Sequence, residues 1–165
     1  MAAAILAAAL AASGCREDAA PPVAEAETTA GDEVGILRAF PPSASGGIEA
    51  AAQEVLRDAP SWAAAWKRAN AHMAPVPSAP EVDFAKEMVA LAALGQKPSA
   101  GFGVEIVGVR RAEGKVRILY AVSEPPPGGM SATVLTNPWH AVVLARTDDP
   151  VEWVRYEPPA SPPPK

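Results

Sequence analysis

Apolar and polar positions change period along the chain, and the changes mark its elements. Trp62, Trp66, Ala69 and Met73 follow one another at spacings of four, three and four, which places them on one face of an α-helix. Asp58 stands where an N-cap belongs, Pro60 is tolerated in the first turn, and Pro75 and Pro77 stop the helix. From Glu87 onward the pattern is that of strands. The run Met88-Val-Ala-Leu-Ala-Ala-Leu94 is apolar on both alternations, as in a central strand covered on both faces. Gly95–Gly101 reads as a loop, Val104–Arg110 as a second strand and Ala112-Glu113-Gly114 as a turn, after which Val116, Ile118, Tyr120 and Val122 alternate along a third strand. Pro125–Gly129 is a turn or loop; Thr133–Thr136 leads to Asn137-Pro138; Trp139–Ala145 is a further strand, and Val151–Tyr156 fits an edge strand. The Ala-rich segment Ile48–Arg57 is ambiguous: alanine propensity favours helix, while Gly46-Gly47 before it and Pro60 after it permit a strand.

These elements predict an α+β fold that is mostly β: a small antiparallel sandwich or partly open barrel with one N-terminal aromatic helix packed on it. The 165 residues fit one compact domain with extended ends, and residues 34–156 are its expected span. Trp62, Trp66 and Phe84 are expected in the core, where each ring removes a large apolar area from water.

The ends have their own composition. Residues 1–15 carry no charge and are too short for a transmembrane helix, which needs about 20 apolar residues. They fit the apolar core of a secretory signal, although no basic residue precedes them, which leaves open a start upstream of Met1. Ala12-Ser13-Gly14-Cys15 resembles a lipobox, in which small residues precede the Cys that receives lipid. Cys15 is the only cysteine, so it cannot staple the domain internally. The expectation is a signal peptide over residues 1–15 and membrane attachment through lipid on Cys15; a chance Ala-rich helix is the competing reading. Arg16 follows the Cys where an Asp would favour inner-membrane retention, so the expected location is the cell envelope, with the outer membrane favoured.

Residues 16–33 hold six acidic side chains against Arg16, and their low hydrophobicity predicts an acidic disordered tether. Residues 157–165 are Pro-rich and predict an extended tail. Removing the tether's net charge of −5 from the chain's −5 leaves 13 basic and 13 acidic side chains over residues 34–165. That balance lacks the basic excess of a nucleic-acid binder.

No motif supplies catalysis, a metal or a cofactor. The two histidines, His72 and His140, belong to no HExxH or CxxC pattern. His72 is expected at the helix end, and His140 in a strand, pointing to solvent or making one hydrogen bond. Ser131, His140 and Asp148 match a triad by residue type alone, and such trios arise by chance in most chains. Gly108–Val116 has five residues between its glycines and no hydroxyl after Lys115, so it reads as a hairpin turn and not a phosphate loop. Asp83 and Glu87 are expected to serve as a solvated rim or a backbone cap.

One stretch resembles a known family. PEVDFAKEMVALAALGQKPSAGFGVEIVGV, then EPPPGG, then TVLTNPWHAVVL, together spanning Pro80–Ala145, are similar in order and spacing to the C-terminal domain of the protease complex subunit PrcB family. Val82, Asp83 and Phe84 match the family's Val-Asp-Phe lead-in, Gly95 and Pro98 match the approach to its loop, and Trp62 and Trp66 fit its aromatic helix. Ser99-Ala100-Gly101-Phe102 stands where the family has Thr-Gly-Gly-Tyr: Ser99 keeps a hydroxyl, Ala100 gains a Cβ, and Phe102 keeps the ring but loses the phenol. Trp139 replaces the tyrosine of the closing Asn-Pro-Tyr-His motif. The resemblance implies a non-catalytic accessory lipoprotein that associates with an extracytoplasmic protease and stabilises it.

Loops at one end of a β domain are common contact sites. Ser99, Gly101, Phe102, Asn137, Pro138 and Trp139 are therefore the candidate partner-binding residues, with Phe102 and Trp139 as aromatic anchors. Two alternatives stand beside this reading. The loop is also similar, over a short stretch, to those of chagasin-like protease inhibitors, so Gly101-Phe102 and Asn137–Trp139 could act as an inhibitory wedge. The other alternative is a structural envelope lipoprotein.

Overall fold

The computed structural model describes residues 31–157. Cys15, the expected signal peptide, residues 16–30 and residues 158–165 lie outside the described residues. The elements are β1 (Asp32–Glu33), β2 (Ile36–Ala39), β3 (Ala51–Leu56), α1 (Ala59–Ala69), β4 (Glu87–Leu94), β5 (Gly103–Ala112), β6 (Lys115–Ser123), β7 (Trp139–Ala145) and β8 (Val151–Arg155). One four-stranded sheet has the order β1-β5-β6-β8 and the other β2-β7-β4-β3. All pairings are antiparallel except β6 with β8, which is parallel. The fold is α+β and mostly β, and its two sheets do not close into a barrel.

The second sheet is the middle of three layers, which explains the two-sided apolar run of β4. Val89, Leu91 and Ala93 face one way and meet Ala141, Val143, Trp62, Ala65 and Ala69 in a core under α1. Met88, Ala90 and Ala92 face the other way, with Val142 and Leu144, and meet Val104, Ile106, Val109, Val116 and Ile118 of the first sheet. The period of two in a strand sends successive side chains to opposite faces, so a middle-layer strand must be apolar throughout. The first sheet buries mainly one face, and the burial of β5 alternates accordingly, while in β6 Leu119 is buried beside Ile118.

α1 starts as expected: the Asp58 carboxylate accepts the Ser61 N–H at 2.8 Å, which holds its pKa below the ordinary value. It ends at Ala69, one turn before Met73. The backbone N–H of Asn70 and its side-chain Nδ2 both donate to the Trp66 carbonyl, at 3.0 and 2.9 Å, and close the helix there. Met73 is exposed and takes no part in the apolar face. The ambiguous Ala-rich segment is the strand β3, paired with β4 over all six of its residues. Here pairing with a buried strand overrides the helical propensity of alanine.

The expected tether extended to residue 33, but its last two residues form β1. Asp32 lies opposite Arg111 and Glu33 opposite Arg110, so opposite charges face each other across the strands. The β5–β6 hairpin turns on Glu113 and Gly114 at φ of 53° and 72°, the doubly left-handed two-residue connection. The segment from β1 to β2 passes from the first sheet to the second and joins that side of the molecule. On the opposite side the edges are β8 and β3.

Candidate functional site

The loops 95–102 and 124–138 meet at one end of the two sheets. Lys97 and Thr136 exchange backbone hydrogen bonds of 2.7 and 3.0 Å, and the Ala100 N–H donates to Ala132 at 3.0 Å. The Thr136 hydroxyl donates to the Ser99 carbonyl at 3.1 Å, and the Ser131 hydroxyl donates to the Ala100 carbonyl. These bonds tie the two loops into one surface. The left-handed position of the first loop is Gly101, at φ 95°, and Ala100 keeps a negative φ, so its Cβ costs nothing. A Cβ on Gly101 would lie 3.1 Å from Pro125, so this glycine also lets the two loops approach.

The structure divides the six residues expected to bind a partner. Ser99 and Phe102 are half-buried and Gly101 is exposed, all at the loop end. The Lys97 ammonium sits 5.6 Å from the centre of the Phe102 ring, within cation–π range. Asn137, half-buried, donates from Nδ2 to the Gly46 carbonyl at 2.8 Å. Pro138 and Trp139 are buried, which corrects the expectation that Trp139 is an exposed anchor. Its ring lies edge-on to Trp66 at 5.8 Å, and its Nε1 donates to the Ser45 carbonyl at 3.3 Å. The cause is position: Trp139 shares the α1 side of β7 with Ala141 and Val143, under Trp62 and Trp66. Trp62 is buried, while Trp66 and Phe84 are partly buried and packed against that core.

Sequence reading missed the apolar side chains that the loop end does expose. Met130 is fully exposed, Leu135 is 65% exposed and Val134 50%. Val134 and Leu135 held the available signal. Consecutive residues of an extended segment point to opposite sides, so both cannot face one core. Phe102, with Lys97 over its ring, belongs to the same loop end.

His140 makes a hydrogen bond, one of its two expected placements, and does so in the interior. It points between the sheets and is 2% exposed. Its Nδ1 accepts the Ile106 N–H at 2.7 Å, beside the point where the β5–β6 register shifts. The ring also makes a hydrogen bond with the backbone of Phe40. Burial pushes the His140 pKa below its ordinary value, opposed by the Phe40 bond and the Glu105 carboxylate. With both ring positions committed to backbone, His140 has no nitrogen left for Ser131 or Asp148. Asp83 and Glu87 act as backbone caps: Glu87 accepts the Asp83 N–H and Asp83 accepts the Ala85 N–H, each at 3.1 Å. Among the described residues no cluster of His, Cys, Asp or Glu is placed to hold a metal ion.

The described residues thus form a two-sheet, mostly antiparallel domain with one helix, whose loop end exposes Met130, Val134 and Leu135. Residues 88–145 match the family described as PrcB C-terminal. The match runs from the start of β4 to the end of β7 and contains both loops of the site. No curated protein and no solved structure matches the chain.

Proposed function

We propose that this chain is an exported, lipid-anchored and non-catalytic accessory module that binds an extracytoplasmic protease and stabilises it. The observation that carries the reading is the family match over residues 88–145. The contact surface is the loop end, with Phe102, Met130, Val134 and Leu135 as its apolar centre. Rigid apolar side chains at a patch centre supply most of the affinity in protein interfaces. The inhibitory wedge is less well supported, because Pro138 and Trp139 have no exposed side chain to insert.

The test is to incubate the full chain with purified secreted proteases of the same organism, following activity and half-life together. A lengthened half-life at unchanged initial activity is the expected result. The double variant Phe102→Ala with Leu135→Asp should bind the protease at least about tenfold more weakly while melting near the wild-type temperature. Lost activity would make the chain an inhibitor. No change in either quantity would leave a structural envelope protein.

The anchor lies at Cys15 in this proposal, and the compartment is the cell envelope, with the outer membrane favoured. Labelled palmitate should enter the wild-type protein and not the Cys15→Ser variant. Incorporation that survives the substitution would remove the anchor from the proposal.

A further inference from the structure

The second sheet ends on β3, the longest of the four edge strands. Free strand edges are templates for pairing, and proteins guard them with short length, bulges, proline or charge. β1 has two residues. β2 has a shifted register and leads toward Pro41-Pro42. β8 follows Pro150 and carries ion pairs through Glu152 and Arg155. β3 pairs with β4 in unbroken register and contains no proline, glycine, lysine or arginine. Its one carboxylate, Glu54, is turned toward α1 and held by Arg68 at 2.8 Å.

The register shows which backbone groups of β3 face outward. The Leu94 N–H donates to Pro138, on the β7 side of β4, so Leu94 and its partner Ala51 are not hydrogen-bonded to each other. Antiparallel bonding alternates along a strand, so Ala51, Gln53 and Val55 turn their N–H and C=O groups away from β4. The open side of β3 lines a trough whose other wall is β8. One cavity of about 410 Å³ there is bounded by Ala51, Gln53, Tyr120, Lys97 and Arg155. A second, of about 640 Å³, continues from Gln53 past Val55 to Trp153 and Asp148. Both ends of the trough hold charges of either sign: Lys97, Arg155 and Glu124 line the first cavity, with Arg155 and Glu124 paired to each other, and Asp148, Asp149 and Arg57 line the second, with Asp149 paired to Arg111. Lys97 stands at the Ala51 end and Asp148 at the Val55 end, and neither is in an ion pair among the described residues.

We propose that β3 accepts an extended polypeptide strand from a protein partner, added antiparallel to it along this trough. The strand carries a basic side chain toward its N-terminal end, beside Asp148, and an acidic one toward its C-terminal end, beside Lys97. Outward backbone groups at alternate residues supply the ladder, as in other cases of strand addition. Antiparallel order continues the order of the whole second sheet, and six residues offer about 20 Å of edge. Lys97 and Asp148 at opposite ends set the direction, Arg57 beside Asp148 being turned to the Thr147 carbonyl at 3.4 Å. This surface adjoins the loop-end apolar patch at Lys97, and the inference does not require the partner to be a protease.

The probe is a capped peptide, Lys-Val-Thr-Val-Thr-Val-Asp, with the charge-reversed peptide Asp-Val-Thr-Val-Thr-Val-Lys as control. Binding to the full chain is read by fluorescence anisotropy, and amide exchange by NMR. The first peptide should bind about fivefold more tightly than the second, the scale of two exposed ion pairs exchanged for two repulsions. The amides of Ala51, Gln53 and Val55 should gain protection. Gln53→Pro removes an outward N–H that β4 does not use and should weaken binding roughly fivefold to tenfold. Lys97→Glu, which lies on a loop outside the ladder, should erase or invert the preference between peptides even if the proline variant fails to fold. Any of four results overturns the inference: no binding, equal affinities, protection elsewhere than β3, or protection of β3 amides that rises with protein concentration alone and assigns the edge to a second copy. Binding that appears only after residues 158–165 are removed also overturns it, by assigning the edge to the chain's own tail.

Discussion

Trp62→Ala is expected to cost about 3–5 kcal/mol of folding stability, the range for removing a buried aromatic side chain. The indole is 2% exposed and joins three parts of the molecule. It stacks on Phe40, just after β2, at 5.5 Å, meets Trp66 edge-on at 5.2 Å, and donates from Nε1 to the Pro80 carbonyl at 2.9 Å. Truncation leaves a cavity between α1 and the second sheet and strips the Pro80 carbonyl of its partner. Domains of this size are stable by about 5–15 kcal/mol, so the loss is a large fraction of the total. Trp62→Phe separates the two contributions: it keeps most of the packing and should cost only about 1–2 kcal/mol for the lost hydrogen bond and partial void. Urea unfolding followed by circular dichroism would measure both. A loss below about 1 kcal/mol for Trp62→Ala would mean that α1 is not anchored to the sheet through this ring.

The helix that carries Trp62 was legible in the sequence because its signals are local. An Asp cap, an early proline and an apolar stripe each act within a turn or two, and all three describe the observed N-terminal half of α1. Central β4 was legible for a related reason: a strand covered on both faces must be apolar at every position, and few other segments of seven residues are. The same property hid β7. Its residues are nearly all buried, so no alternation tells which of them meets α1 and which meets the first sheet. Trp139 was therefore readable as an exposed anchor and His140 as either solvent-facing or hydrogen-bonded, when both are interior. β3 was hidden because alanine carries a helical preference of its own, and only the pairing partner forty residues away reverses it. The short β1 was hidden because six acidic side chains dominate its segment, and the compensating Arg110 and Arg111 lie far along the chain. Of the candidate site, the position of the loops was legible, since glycine and proline mark them. The side chains that face outward from them depend on how the loops bond to one another, through Lys97 with Thr136 and Ala100 with Ala132.

His140 gives the second large effect, and it is expected to make stability depend on pH. Its Nδ1 is a hydrogen-bond acceptor for the Ile106 N–H, which only the neutral ring can be. The folded pKa lies below the ordinary value of 6.5, with burial the largest cause and the Phe40 bond and Glu105 opposing it. The unfolded chain therefore binds a proton at a higher pH than the folded one. Where the unfolded state holds more protons, stability rises with pH. The contribution is complete above about 6.5 and is lost progressively as the pH falls from there through the folded pKa. Melting temperatures from pH 8 to 5 should therefore decline below about 6.5 in the wild type. His140→Asn should flatten that decline, because its amide oxygen can accept the Ile106 N–H without titrating. His140→Ala should flatten it too, but at a cost near pH 7.5 of about 2–4 kcal/mol, from the cavity and the two backbone groups left without partners. The order Ala far below Asn, with Asn close to wild type at high pH, distinguishes an inter-sheet hydrogen bond from simple space filling. Equal losses for the two variants, or an undiminished acid decline in His140→Asn, would show that the bond between β7 and β5 contributes neither stability nor pH sensitivity.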